Sequence, residues 1–159
     1  MLYYICRSVL LKNQLIIVRG TPGSGKSTLA RRMLREGLVD AHYEADMFHI
    51  DPKGSYNFKV ENSHLAHKWC KDMVKKALEK GLRVAVSNTF LVFGQIKPYI
   101  EVANELKVNW KIIQAEGNFQ NVHNVPSDVL DRMSKAMVPY GKLIQQIKKV
   151  YRCDKLKEA

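Results

Sequence analysis

Gly20-Thr21-Pro22-Gly23-Ser24-Gly25-Lys26-Ser27 decides the fold. It fits G-x-x-x-x-G-K-[ST] without a gap. The apolar run Gln14–Arg19 (QLIIVR) precedes it and suits a buried strand. Leu29, Met33 and Leu34 follow at helical spacing over Lys26–Gly37, with Gly37 as the C-cap. Strand, glycine-rich loop and helix together hold phosphate. The glycines allow positive φ and turn backbone N–H groups toward the oxygens, and the free N–H groups of the helix start favour an anion. A chance match in a chain of 159 residues is on the order of 1%. Gly20 through Ser27, with Thr28, are therefore candidate binding residues for ATP or GTP. Lys26 reaches toward the β- and γ-phosphates, and the Ser27 hydroxyl is the candidate Mg²⁺ ligand.

Outward from the loop, strands and helices alternate. Val39–Ala45 reads as a second strand ending at Asp46, and Phe48–Lys59, with Pro52 and Gly54, as a loop. Val60–Lys80 carries Leu65, Trp69, Met73, Ala77 and Leu78 on one helical stripe, stopped by Gly81. Leu82–Ser87 is a third strand, Gln95–Leu106 a helix broken near its start by Pro98, and Val108–Gln114 a fourth strand. Ala115–Val125 is polar and irregular. Pro126 opens a helix with Val129, Leu130 and Met133, and Leu143, Ile147, Val150 and Tyr151 mark a last amphipathic one. The pattern predicts a three-layer α/β fold, a parallel sheet of four to five strands with helices on both faces and right-handed crossovers. One domain over 1–159 is expected, with 1–12 as an extension and a basic helix over 141–159.

Composition narrows the class. The chain is 46% hydrophobic and 26% charged, enough for a real core. Its 26 Lys+Arg against 15 Asp+Glu leave a net charge of +11. That favours a polyanionic partner, nucleic acid before an anionic membrane surface; the alternative is a basic protein without one. No run reaches the ~18–20 apolar residues of a membrane span. Met1–Leu11 is broken by Arg7 and makes a poor signal peptide. Cys6, Cys70 and Cys153 are odd in number and far apart, which fits reduced thiols in a cytoplasmic setting. His64 and His67 stand three apart on a helix, without further ligands at metal spacing.

The chain is short for a ring ATPase with an appended helical domain, and it has no N-K-x-D guanine motif. A small kinase fits better. The ordered set G-T-P-G-S-G-K-S-T, Y-E-A-D-M-F (Tyr43–Phe48), A-H-K-W-C (Ala66–Cys70), V-S-N-T-F (Val86–Phe90) and H-N-V-P-S-D-V-L-D-R-M (His123–Met133) resembles the phage-type polynucleotide kinase family. It is still more similar to the short ATP-binding relatives, such as the kinase module of the NEDD4-binding protein. The resemblance runs from about Gln14 to Tyr140 and implies an adenylate-kinase-like fold. It also implies transfer of the ATP γ-phosphoryl, with Mg²⁺, to a 5′-hydroxyl of DNA or RNA in the cytoplasm, in an infected host where the chain is phage-encoded.

Asp46 is the candidate general base: a carboxylate at the carboxyl edge of the sheet accepts the proton of an attacking hydroxyl within ~3 Å. A turn or N-cap aspartate is the structural alternative. Three positions depart from the phage enzyme. His49 stands where it has arginine. Asn88 stands where it has aspartate, and is expected to bond a Mg²⁺ water or a nucleotide oxygen without adding charge. Gly117–Val125 lacks the lid arginine, leaving Gln120 and His123, with Arg132 as the nearest substitute. Trp69 reads as core rather than as a base-stacking platform. The basic C-terminal face (Lys148, Arg152, Lys155) is either a phosphate track or a solvated surface. Three functions stay open: a 5′-hydroxyl polynucleotide kinase, a kinase with a nucleoside or metabolite acceptor, and a non-catalytic ATP-binding nucleic-acid module.

Overall fold

The structure, a computed structural model, describes residues 14–119 and 125–151. Four parallel strands form one sheet in the order β2-β3-β1-β4: β1 Gln14–Arg19, β2 Ala41–Tyr43, β3 Val84–Asn88 and β4 Asn109–Gln114. Ile17 stands between Val86 and Ile112 in register. The helices are α1 Lys26–Arg35, α2 Ser63–Glu79, α3 Phe93–Glu105, α4 Ser127–Ala136 and α5 Tyr140–Tyr151.

β1 is apolar on both faces because both are covered. Its side chains alternate. Leu15 and Ile17, with Val84 and Val86, pack against Cys70 and Val74 of α2, Ile96 and Ile100 of α3, and Leu143, Ile144 and Ile147 of α5. Ile16 and Val18, with Ala85, meet Ala30 and Met33 of α1. These two cores make the three layers. Truncating a fully buried isoleucine such as Ile17 to Ala should cost about 2–5 kcal/mol.

Gly37 ends α1 as expected. At φ 68° its N–H bonds Leu34 O, and the next N–H, of Leu38, bonds Met33 O at 2.9 Å. These are the paired closures of a left-handed helix stop.

Several boundaries shift. The second strand is three residues, not Val39–Ala45, and Asp46 lies beyond it on a 3-10 turn, Ala45–His49. The residues expected as loop, Phe48–Lys59, therefore begin inside that turn. Val60–Asn62 is a separate 3-10 turn before α2. α3 begins at Phe93 and runs through Pro98 rather than breaking there. Pro98 is the sixth residue of the helix, so the one intrahelical bond it forfeits is that to Gly94 O. On α5, Leu143, Ile144 and Ile147 are buried whereas Val150 is 51% exposed. No helix among the described residues is long and apolar enough to cross a membrane. Residues 1–12, His123, Arg152 and Lys155 lie outside the described residues.

Candidate active site

The strands β1, β2 and β3 end at one edge of the sheet, where open α/β folds bind ligands. A cleft of about 640 Å³ opens there, walled by Pro22 and Lys26, by Glu44 and Asp46, and by Ser87 and Asn88. Val129 and Met133 of α4 close it from the far side.

The phosphate loop has the geometry that its sequence demands. Gly23 and Gly25 sit at φ 80° and 84°, conformations that an L side chain resists. Gly25 caps α1 in that left-handed state. A Cβ on Gly20 would strike the Ser24 side chain and approach Ala115 O to 2.9 Å. The segment after β4 stitches to the loop: Gly117 N–H donates to Ser24 O at 3.0 Å and Phe119 N–H to Gly23 O at 2.8 Å. Thr28 is exposed on the first turn of α1. The Lys26 ammonium donates to Thr21 O at 3.5 Å. Burial lowers its pKa, and the carboxylates of Asp46 and Glu44 oppose that shift.

Glu44, the residue after β2, is the acidic group in contact with the loop. Its Oε2 accepts from Ser27 Oγ at 2.5 Å and from Ser87 Oγ at 3.0 Å, and Arg31 pairs with Oε1 at 3.2 Å. His42 Nε2 lies 2.8 Å from Ser87 Oγ. Because Ser87 donates to Glu44, it accepts from His42, which therefore carries its proton on Nε2. Burial keeps His42 below its usual pKa and hence neutral at pH 7. Burial also opposes the Glu44 charge, but the Ser27 and Ser87 hydroxyls and the Arg31 guanidinium together hold its pKa below the usual value. Ser27, Ser87 and Arg31 were within reach of sequence reading, and Glu44 stood inside the motif Tyr43–Phe48. The overlooked signal was the alternation His42-Tyr43-Glu44, two polar side chains on one face of a strand end.

Asp46 lines the same cleft. Tyr56 Oη donates to its Oδ1 at 3.3 Å. Burial first, and Asp46 second, push the Tyr56 hydroxyl up to about 12, so the phenol stays a donor. The turn that carries Asp46 rests on aromatic packing: Phe48 lies 6.1 Å from Trp69 and Tyr43 6.4 Å from it, centroid to centroid. Trp69 is thus core. His49, in the place of the phage enzyme's arginine, is buried with its ring edge on Phe58 at 4.9 Å. His67 faces the same cleft, its pKa lowered by burial.

Asn88 lines the cleft, but its amide works inside the protein. Oδ1 accepts from Ala45 N–H at 2.9 Å and Nδ2 contacts Cys70 Sγ at 3.7 Å. It fixes the start of the Asp46 turn to the end of β3. Burial pushes the Cys70 thiol up. Arg132 is not brought into the cleft. Only the 126–129–133 face of α4 turns inward, and Arg132 Nη2 pairs with Asp128 at 3.3 Å, both side chains 73% exposed. Sequence reading also missed Arg19. Its guanidinium is fully buried at the end of β1 and donates to Leu91 O at 3.2 Å and Val138 O at 3.0 Å.

Fold and loop together define a phosphate-loop, ATP-binding, kinase-like α/β domain. The chain belongs to the AAA domain family, whose model matches residues 15–118, the span from β1 past β4. Human NEDD4-binding protein 2 is 32% identical over 130 residues, 75% of this chain. The chain spans about 7% of that protein's length. Among solved structures, the Pnkp1/Rnl/Hen1 RNA repair complex aligns with a TM-score of 0.55 at 16% identity, over 92% of this chain and 47% of that one. The APS kinase CysC of Mycobacterium tuberculosis aligns at 0.53 and 15%, over 86% and 98%. A gluconokinase from Sinorhizobium meliloti 1021 aligns at 0.53 and 17%, over 79% and 75%. These three likenesses speak for the fold.

Proposed function

We propose that the protein transfers the γ-phosphoryl group of ATP to a 5′-hydroxyl of DNA or RNA. The observation that carries this reading is the single cleft that Lys26 and Asp46 both line, close enough for the carboxylate to act on the ammonium. Lys26 and the loop N–H groups bind the phosphates and spread the charge of the transferring group. Asp46 takes the proton of the acceptor hydroxyl as its oxygen bonds to the γ-phosphorus. The bond from phosphorus to the β,γ-bridging oxygen breaks, and ADP leaves with that electron pair. Tyr56 orients the Asp46 carboxylate through its hydrogen bond.

Mg²⁺ fits the residues present. A hydroxyl and a carboxylate, Ser27 and Glu44, meet beside the loop, and this ion takes one or two such oxygen ligands and completes its shell with phosphate and water. When bound it neutralises charge on the β- and γ-phosphates. The net charge of +11 supports a polyanionic acceptor, as does the likeness to a chain of an RNA repair complex.

A second reading, a kinase for a nucleoside-sized or metabolite acceptor, draws on the cleft volume of about 640 Å³, which holds one such molecule beside the phosphates. The test is transfer from γ-labelled ATP with Mg²⁺ to 5′-hydroxyl DNA and RNA oligonucleotides, nucleosides and mononucleotides. The expected result is labelled oligonucleotide ends, lost in Lys26→Ala and reduced about 10²–10⁴-fold in Asp46→Asn. Label on small acceptors alone selects the second reading. ATP binding with no transfer selects a non-catalytic module.

A further inference from the structure

His42, Glu44 and Ser87 are polar side chains in an otherwise apolar layer. They lie on the face of the sheet that α1 covers. His42 stands opposite Ala85 in register, and Ala85 packs with Ile16, Val18 and Met33. Side chains of a strand alternate, and Glu44 is still extended at φ −143° and ψ 149°. Glu44 follows His42, and Ser87 follows Ala85, onto that same face. All three residues are at most 7% exposed. Polar groups this deep cost stability unless each finds a partner, and here the partners form a single file.

The file has a direction. His42 Nε2 lies 2.8 Å from Ser87 Oγ, and Ser87 Oγ donates to Glu44 Oε2 at 3.0 Å. Ser27 Oγ donates to the same oxygen from the phosphate loop. A carboxylate only accepts, so both hydroxyl protons point at Glu44, and the lone pairs of Ser27 Oγ are left facing away from it. The single Ser87 proton is committed to Glu44, and the His42 N–H behind it fixes how that hydroxyl is turned. The other carboxylate oxygen, Oε1, pairs with Arg31, whose side chain is 66% exposed. Oε2 is thus held from inside the sheet and Oε1 from the solvent side.

We propose that His42 and Ser87 are positioning residues: they hold the Glu44 carboxylate so that it takes the Ser27 hydroxyl proton and turns the Ser27 lone pairs toward a divalent cation on the nucleotide. They act through Glu44 rather than on the ion. This rests on the Mg²⁺ fit above and not on the nature of the acceptor. It gives a buried histidine on a short strand a task that is neither proton transfer nor metal ligation.

The test uses Mn²⁺ as the probe, followed by electron paramagnetic resonance as it binds the complex of protein and ADP. No phosphoryl transfer is measured. Ser87→Ala should weaken Mn²⁺ binding about tenfold, the scale of a lost partner behind a metal ligand. Metal-free ADP binding, read by calorimetry, should stay within about twofold, because the loop N–H groups that hold the phosphates are untouched. His42→Phe fills the space of the ring without its donor and should weaken Mn²⁺ about threefold. The double variant should bind Mn²⁺ no more weakly than Ser87→Ala alone, since His42 works only through Ser87. His42→Gln keeps an N–H donor and should recover most of the loss. Unchanged Mn²⁺ affinity in Ser87→Ala, additive losses in the double variant, or an equal loss of metal-free ADP binding overturns the proposal. Should the buried substitutions unfold the chain, wild type decides alone: nitrogen-15 shifts should show His42 protonated on Nε2 with and without Mg²⁺ and ADP, and a proton on Nδ1 instead overturns it. If the wild-type complex binds no Mn²⁺, the Mg²⁺ reading fails and takes the proposal with it; if wild type binds and the variants match it, the proposal alone fails.

Discussion

Ser27 Oγ donates a 2.5 Å hydrogen bond to Glu44 Oε2. This contact joins the end of the phosphate loop to the end of β2, seventeen residues on. It sets a hydroxyl against a buried carboxylate, whereas Asp46, two residues on, accepts from Tyr56. Two acidic residues separated by a single alanine thus have different surroundings.

Glu44→Gln should therefore weaken metal use more than nucleotide binding. The expected outcome is an increase of about tenfold in the Mg²⁺ concentration for half-maximal transfer, with metal-free ATP affinity unchanged. Ser27→Ala should move the same parameter in the same direction. Because the two residues touch, the double variant should cost less than the sum of the singles. Chelation by EDTA should abolish transfer in wild type. An Mg²⁺ titration of the three variants checks this, and additive losses would argue against a shared ligand pair.

Asn88→Ala should act on the chemistry through the backbone. It removes the acceptor of Ala45 N–H, and an unpaired buried donor costs about 1–3 kcal/mol. The turn that carries Asp46 loses its tether, so kcat should fall while the KM for ATP holds. Urea unfolding and steady-state kinetics on one preparation separate the two effects. A variant with unchanged kcat would reduce Asn88 to a structural bond.

Arg19→Ala should destabilise the protein by about 3 kcal/mol, through a cavity and two bereft carbonyls. Arg19→Met should lose less than half of that. It fills the space and removes a buried charge whose Nε and Nη1 have no partner among the described residues. Denaturant melts of the two variants rank them, and the reverse order would mean that the charge itself is needed.

Asp40 and Arg83 form a bidentate pair, with contacts of 2.6 and 3.0 Å. The Arg83 side chain and backbone N–H hold the Asp40 pKa at about 2, below the ordinary 3.8. A carboxylate depressed on folding stabilises above its unfolded pKa, and the gain fades as pH falls from about 4 toward 2. The pair is partly exposed, so the gain is only ~0.5–1 kcal/mol. Asp40→Asn should lower stability by that amount at pH 7 and by nothing near pH 2. Thermal melts across this range check the convergence.

The loop Gly20–Ser27, the strand before it and the helix after it were legible in the chain, because local chemistry dictates them: glycines for positive φ, a lysine for phosphate, an apolar run for a strand covered on both faces. So were the alternation of strands and helices, the core role of Trp69 and the stop at Gly37. Short-range rules failed where tertiary contacts took over. β2 shrank to three residues because the chain after Tyr43 bends into the aromatic cluster around Trp69. Arg132 carried the right charge in the right motif, yet its helix turns Val129 and Met133 inward instead.

From its sequence alone this protein is a phosphate-loop α/β chain with an acidic residue near the end of its second strand, since spacing and composition suffice for both. What surrounds each of the two acids nearby, Glu44 and Asp46, was decided only by the tertiary structure. Glu44 and Asp46 differ in what the fold packs against them: two serines, a neutral histidine and an arginine around Glu44, and the Tyr56 hydroxyl at Asp46. Of those partners only His42 stands near its acid in the chain.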